Sequence, residues 1–310
     1  MPDHPDARTV CCIGGMTVDR TLKLLEHGVL GTSNPVLSRR TLGGVARNVA
    51  QNLARLSVPC QLVSVAGDDE AGRQVVQETS RQGVDTGLVQ KSLSLPTGSC
   101  TRALQPDGEL FVSFADMDIC KLMDRDFIHN RWLQIANANV VFADTNLPAE
   151  SLSYLITGCR EHDLALVLDA VSTSKARRLP LNLHGVDMLF CNRDEARAML
   201  GEDIARDAQA MASALCQRGA ESTVVTAGAD GLVFARNGER ITLPASPGPL
   251  TDVSGAGDAL VSGTLYGRLK GYDAVTSLRI GLNAARLTIG CEDSNCPELS
   301  IESVTDGLGL

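Results

Sequence analysis

Aromatic side chains are scarce in this 310-residue chain, at 3 % with one Trp, three Tyr and six Phe, so its core has to be built from Leu, Val, Ile and Ala. Positive charge is also short: 28 Lys and Arg face 37 Asp and Glu, for a net charge of −9. Such a balance offers no electrostatic footprint for a nucleic-acid polymer or an anionic membrane. No apolar run is long enough to span a bilayer. Residues 1–9 are polar, contain two prolines and lack the apolar stretch of a signal peptide, so a disordered tail and a cytoplasmic protein are expected. No Cys-x-x-Cys pair occurs among the ten cysteines, which argues against zinc and thioredoxin-like sites. Cys11 and Cys12 are adjacent and the others scattered, several in apolar runs, so free thiols acting as small hydrophobes are expected. Three nucleotide signatures are missing: the Gly-x-x-x-x-Gly-Lys-[Ser/Thr] P-loop, a Gly-x-Gly-x-x-Gly after a strand, and the protein-kinase set. A dinucleotide dehydrogenase is thereby disfavoured, and any phosphate must be held by another device.

What is present is an ordinary globular balance, 44 % hydrophobic and 21 % charged. Short apolar runs at 10–13, 61–66, 139–143, 164–168, 188–191 and 222–226 read as buried strands, and helical spacing follows several of them. Helices are expected from 43, over 69–82, 149–162, 194–200 and 207–218, with two apolar helices at 255–270 and 273–289 closing the fold. In the first, Val45, Val49, Leu53 and Leu56 share one face, with Arg47, Gln51 and Arg55 on a polar one. This alternation predicts an α/β fold with a mostly parallel sheet between helix layers. Runs at 99–104 and 110–115 around Pro106-Asp107-Gly108 predict a hairpin, and Asn237-Gly238 marks the tip of another. The early strands and the first hairpin break the alternation, and a small β lid made of about 20–40 and 98–116 accounts for them. One domain, 10–310, is expected behind the tail.

The strongest local signal is Asp252-Val253-Ser254-Gly255-Ala256-Gly257-Asp258 opening an apolar helix. Amides at a helix N-terminus lack intrahelical partners, and the helix dipole favours an anion there. Asp258 falls in the first turn beside that anion site, where a carboxylate suits the role of general base. Complementing the dipole is the plainer role, and spacing alone does not separate the two. Gly43-Gly44 ahead of a helix permits close approach of a neutral hydroxylated ligand, and Asn48 both donates and accepts. Asp19, past the Gly14-Gly15 turn, is placed to take two hydroxyls of a diol at the carboxyl edge of a sheet. Taken alone, an ordinary loop and a turn aspartate are the favoured explanations of these two. Asn192-Arg193-Asp194-Glu195 after a strand suits either magnesium held through water or a helix N-cap. Thr226-Ala227-Gly228-Ala229-Asp230-Gly231 suits a nucleotide or a hairpin turn.

Taken in order, Gly14-Gly15, Gly43-Gly44 with Asn48, Asn192-x-x-Glu195, Thr226-x-Gly228-x-x-Gly231 and Gly255-Ala256-Gly257-Asp258 resemble the ribokinase-like, or PfkB, carbohydrate kinase family over about residues 10–300. The resemblance implies a three-layer α/β/α fold with a β lid, and often a homodimer through that lid. It implies Asp258 as catalytic base and Gly255, Ala256 and Gly257 as an anion hole. Asp19, Gly43, Gly44 and Asn48 would hold the sugar. Asn192 and Glu195 would organise Mg²⁺ and phosphates, and Thr226, Gly228, Gly231 and Asn283 would border ATP. Asp252 occupies a position associated with a monovalent cation such as K⁺. Two positions depart from the pattern: Thr17 stands where ribokinases carry Asn, and Val253-Ser254 replaces the commoner Thr-Thr. Residues 43–56 and 115–119 resemble members that act on pseudouridine, which implies ATP-dependent phosphorylation of its 5′-hydroxyl. Arg47, Thr17, Asp118 and Asn146 are the candidates for reading the base. Another nucleoside or sugar (adenosine, ribose or a fructose phosphate), or a non-catalytic nucleoside sensor, are the alternatives.

Overall fold

Val-Cys-Cys-Ile forms β1 (Val10–Ile13), and all four side chains are fully buried, as expected of a strand covered on both faces. Its side chains alternate between two cores. Val10 and Cys12 pack with one, Cys11 and Ile13 with the other, so helices must lie on both sides of the sheet. The computed structural model describes residues 8–201, 207–248, 253–291 and 293–310. The expected tail falls largely at residues 1–7, outside the described residues; Thr9 N–H donates to Asn139 Oδ1 at 2.7 Å.

In chain order β1 is followed by β2 (Thr17–Leu24), β3 (Val36–Gly43), α1 (Val45–Arg55), β4 (Cys60–Gly67), α2 (Glu70–Arg81), β5 (Asp85–Ser92), β6 (Ser99–Leu104) and β7 (Leu110–Asp116). Then come α3 (Arg125–His129), α4 (Trp132–Ala136), β8 (Val140–Asp144), α5 (Ala149–Glu161), β9 (Ala165–Asp169), α6 (Thr173–Ala176), β10 (Met188–Asn192) and α7 (Arg193–Leu200). Last are α8 (Ala208–Gln217), β11 (Ser222–Thr226), β12 (Leu232–Arg236), β13 (Glu239–Leu243), α9 (Ala256–Leu269), α10 (Ala274–Ile289) and α11 (Ile301–Thr305).

A nine-stranded sheet has the order β13-β12-β11-β10-β9-β8-β1-β4-β5. It is parallel from β11 to β5, and β12 and β13 add an antiparallel edge. β1 sits between β8 and β4, so connections leave it in opposite directions and a crevice opens at the carboxyl ends of β1 and β8. This is the ribokinase-like α/β architecture the motifs imply. A second sheet, β3-β2-β6-β7, stands apart from the first.

Several details differ from the sequence reading. The edge strand β5 went unread, because its partly exposed residues lack an apolar run. The fold does not end at α10; α11 follows, held by a reciprocal Ser300–Ser303 cap. Cys291 and Cys296 are joined as a disulfide, not free, because a tight loop after α10 folds their five-residue separation back on itself. On the polar face of α1, Arg47 and Gln51 are buried. No helix among the described residues is long and apolar enough to cross a membrane.

Candidate active site

The carboxyl ends of five parallel strands deliver the polar side chains. β1 ends in Gly14-Gly15, β8 in Asp144, β9 in Asp169, β10 in Asn192 and β11 in Thr226. Asp144 organises the crevice although no sequence motif pointed to it. Its Oδ2 accepts from Gly15 N–H and from Ala46 N–H, both at 2.9 Å, and its Oδ1 accepts from Asn146 N–H at 2.8 Å. α1 has no side-chain cap of its own, so Asp144 supplies one from 98 residues away. Gly44, at φ +94°, starts that helix in a conformation open to glycine, and a β-carbon there would strike the Gly15 carbonyl.

The capped helix presents Asn48 to Asp258 in the first turn of α9, where Asn48 Nδ2 donates to Asp258 Oδ2 at 2.7 Å. Asp258 is buried, and burial pushes its carboxyl up to about 7; the Asn48 bond and Arg47 oppose this, while Asp144 and Asp19 add to it. A carboxylate with that affinity is matched to taking a proton near neutral pH. Ahead of it, Gly255 turns at φ +79° with its back against the Ser294 carbonyl, a position no side chain could share. Ala256 N–H is occupied by the Val253 carbonyl at 3.3 Å, which narrows the expected anion hole. The Gly257 and Asp258 amides have no acceptor among the described residues, and space beside Gly257 is open. Free amides at the start of a 14-residue helix favour an anion there.

Across the crevice, Thr17 Oγ1 donates to Asp19 Oδ1 at 2.9 Å. Asp19 lies within β2 of the second sheet, not in a turn after β1 as the sequence suggested, because the strand begins earlier than its apolar pattern. Gly43 pairs with Thr17 in the β2–β3 ladder, diagonal to Asp19, and any side chain there would occupy the Asp19 carboxylate. Burial raises the Asp19 pKa, and Thr17, Arg102 and Arg47 pull it back. Asp19 lies close enough to Asp258 and to Arg47 to act electrostatically on both, and Asn48 is bonded to Asp258. Asn146 is buried beside Gly15, with its Oδ1 unpartnered. Asp118 is not brought in: it is exposed and pairs with Lys121 at 2.7 Å.

On the other side, Asn192 and Glu195 close a reciprocal capping box on α7. Glu195 N–H donates to Asn192 Oδ1 at 2.9 Å and Asn192 N–H to Glu195 Oε2 at 2.8 Å. The buried acid, Glu195, is thus also one half of the capping box. Burial raises Glu195, and Asp169, half-buried at the end of β9, is raised well above the ordinary carboxylate range by burial and by the charges of Glu195 and Asp258. Asp169 carries no spacing signal and was missed in the sequence. The negative charge that Glu195 adds at Asp169 is one that a divalent cation would relieve, so these residues suit Mg²⁺ held through water. Next to them, Thr226 stands opposite Asn192 in the ladder. The Gly228–Asp230 turn is tied to α7 by Arg193 and Asp230 at 2.8 Å, and Gly228 faces open space. Gly231 leads into β12. Asn283 is committed elsewhere: it accepts from Ser246 Oγ at 3.2 Å and donates to the Val304 and Asp306 carbonyls at 3.0 and 3.2 Å. Asp252 lies outside the described residues.

Comparison with known proteins agrees with this fold. The pfkB family carbohydrate kinase model matches residues 7–299. Over 305 residues the chain is 30 % identical to the pseudouridine kinase of Escherichia coli strain K12, covering 95 % of each. A carbohydrate kinase from Agrobacterium tumefaciens has a TM-score of 0.84 at 31 % identity, covering 98 % of this chain and 97 % of that one. Arabidopsis thaliana ribokinase, solved with ribose and ATP, shares the fold at a TM-score of 0.83 and 19 % identity, over 98 % and 99 % of the two chains.

Proposed function

Because the chain belongs to the PfkB family of carbohydrate kinases, and so transfers a phosphoryl group to a hydroxyl, we propose that it phosphorylates the 5′-hydroxyl of pseudouridine with ATP, giving pseudouridine 5′-phosphate and ADP. The observation that carries the reading is the Asn48–Asp258 pair beside free helix amides and opposite Asp19. The substrate itself is favoured by the identity to the Escherichia coli enzyme over 95 % of both chains.

In this mechanism Asp19, with Thr17, takes the sugar diol, and Gly43 and Gly44 let the ligand come close to the backbone. Arg47 and Asn146 flank the sugar, on the side where the base would lie. The 5′-oxygen points at Asp258, which removes its proton as that oxygen attacks the γ-phosphorus in line. The amides at the start of α9 receive the developing charge on the transferring group. Glu195, with Asn192 and Asp169, would hold Mg²⁺ through water, and a bound Mg²⁺ neutralises β- and γ-oxygens. Thr226, Gly228 and Gly231 would border the nucleotide. The second sheet acts as a lid that excludes water from the crevice. Its exposed Leu37, Leu110 and Phe114 favour pairing with a second copy in a cytoplasmic homodimer.

A panel of pseudouridine, uridine, adenosine, guanosine, ribose and fructose 6-phosphate, each with ATP and Mg²⁺ and read by ADP release, tests the substrate. Pseudouridine should give a kcat/KM at least about tenfold above the others, the discrimination expected of a site that hydrogen-bonds one base edge. A higher value for adenosine or ribose would reassign the substrate within the family, and no ADP release with any acceptor would favour a sensor.

A further inference from the structure

Resting on Asp258 as the base, the structure poses a question about Asn48. A side-chain amide has a donating and an accepting end, and only the donating end stabilises a carboxylate. Turned round, Asn48 would set its oxygen against Asp258. Something must fix the amide, and the partners that do so are buried behind it.

Arg47 NH2 donates to Asn48 Oδ1 at 2.8 Å, which leaves Nδ2 for Asp258. Arg47 is 2 % exposed, and its Nε has no partner, so its own position depends on what else holds the guanidinium. That holder is Asn295, on the loop after α10. Its Oδ1 accepts from Arg47 NH2, while its Nδ2 donates to the Asn48 carbonyl at 3.0 Å and to Asn52 Oδ1 at 2.8 Å. Asn295 is itself buried, and all these partners lie on α1. The same loop is anchored on α1 by Arg55, which donates to the Cys296 carbonyl, and on α9 by the Ser294 carbonyl against Gly255.

We propose that Asn295 is a positioning residue for the catalytic base: by holding Arg47 and the main chain of Asn48, it fixes which end of the Asn48 amide faces Asp258. The relay runs from Asn295 through Arg47 and Asn48, and touches no substrate. The charged groups that act on Asp258 come from four elements: Arg47 on α1, Asp19 on β2, Asp144 on β8 and Asp169 on β9. Only Arg47 is cationic, so loosening it removes both the opposing charge and the amide bond that keep the Asp258 proton labile.

The test is kcat against pH for the wild type, Asn295→Ala, Asn295→Ser and Asp258→Asn, read by ADP release from ATP with pseudouridine, or with adenosine or ribose if pseudouridine is inert. Thermal unfolding checks each variant, and the serine variant carries the test if the alanine one does not fold. The acid limb should move up by about one pH unit in the Asn295 variants, the scale of one charge-assisted hydrogen bond, with recovery toward wild-type kcat at higher pH and acceptor KM within about threefold. A merely structural Asn295 would lower kcat equally at every pH, and that result, or an unmoved limb with normal kcat, overturns the proposal. Near-normal turnover by Asp258→Asn would instead overturn the reading of the base itself.

Discussion

Asn48 Nδ2 donates to Asp258 Oδ2 at 2.7 Å across 210 residues of sequence, joining the first turn of α1 to the first turn of α9. Two helix starts, one following Gly43-Gly44 and one carrying the free amides, are thereby joined at the Asp258 carboxylate. Burial pushes Asp258 up to about 7, and only its deprotonated form can take a proton. Activity should therefore fall as pH drops through about 7 and be level above it. Asp258→Asn should lower kcat by about a hundredfold or more, the loss expected for a general base, while acceptor KM changes little. A kcat profile flat from pH 5.5 to 8 would count against Asp258 as base.

The same raised affinity has a thermodynamic side. Asp258 holds its proton more tightly in the fold than the ordinary value of 3.8, so the native state binds more protons than the unfolded one between about 4 and 7. Stability from this group is greatest below 3.8 and is lost as pH rises through about 7. Above that the buried charge costs a few kcal/mol, at 1.36 kcal/mol per pKa unit. Asp258→Asn removes the charge and should raise the melting temperature at pH 8, with the gain shrinking toward pH 5. Differential scanning calorimetry of the two proteins at both pH values decides it; an equal gain at both would mean that charge burial is not the cause.

The layers and strand ends were legible because they rest on local pattern. Buried runs such as Met188-Leu189-Phe190-Cys191 cannot be other than core, and Asn192 with Glu195 spells a capping box in four residues. The amides before Asp258 were legible too, since Gly255 and Gly257 open an otherwise apolar helix. What stayed hidden depends on partners distant in sequence. Asp144 caps a helix 98 residues away, and nothing around it marks that role. Asp169 became an acid of interest only once Glu195 and Asp258 were seen to face it. Arg47 and Gln51 read as a polar face, and amphipathic spacing records polarity, not what lies above it; both are buried, and Asn295 lies against Arg47. Asp19 was misplaced for a simpler reason: β2 is only partly buried, so it lacks the apolar run that announces a strand.

Glu195 serves two roles that a single substitution separates. Its Oε2 accepts from Asn192 N–H in the capping box, which glutamine at that position also satisfies. Its charge, facing Asp169, is what would hold Mg²⁺. Glu195→Gln should keep the melting temperature within about 2 °C while raising the Mg²⁺ concentration for half-maximal activity by about tenfold, the order expected when a metal-orienting group is lost. A Mg²⁺ titration at fixed ATP measures it. An unchanged requirement would take Glu195 out of the metal site and leave it a cap alone.

Arg102 links the second sheet to the anion site. From β6 its NH1 donates to Ser254 Oγ at 2.8 Å, directly before Gly255, and its charge also acts on Asp19. A second contact among the described residues, Arg39 with Asp293 at 2.6 Å, is roughly half exposed on both sides. If the second sheet is a lid, Arg102 is the contact that registers its closure over the reacting oxygen. Arg102→Ala should then raise acceptor KM by about tenfold and increase ATP hydrolysis in the absence of acceptor, because a loosened lid admits water. Ser254→Ala, which removes the partner but leaves the charge facing Asp19, should reproduce the hydrolysis with a smaller KM change. Parallel assays of ADP release with and without acceptor separate the two effects. Unchanged hydrolysis in both variants would show that closure does not run through this contact, whatever happens to KM.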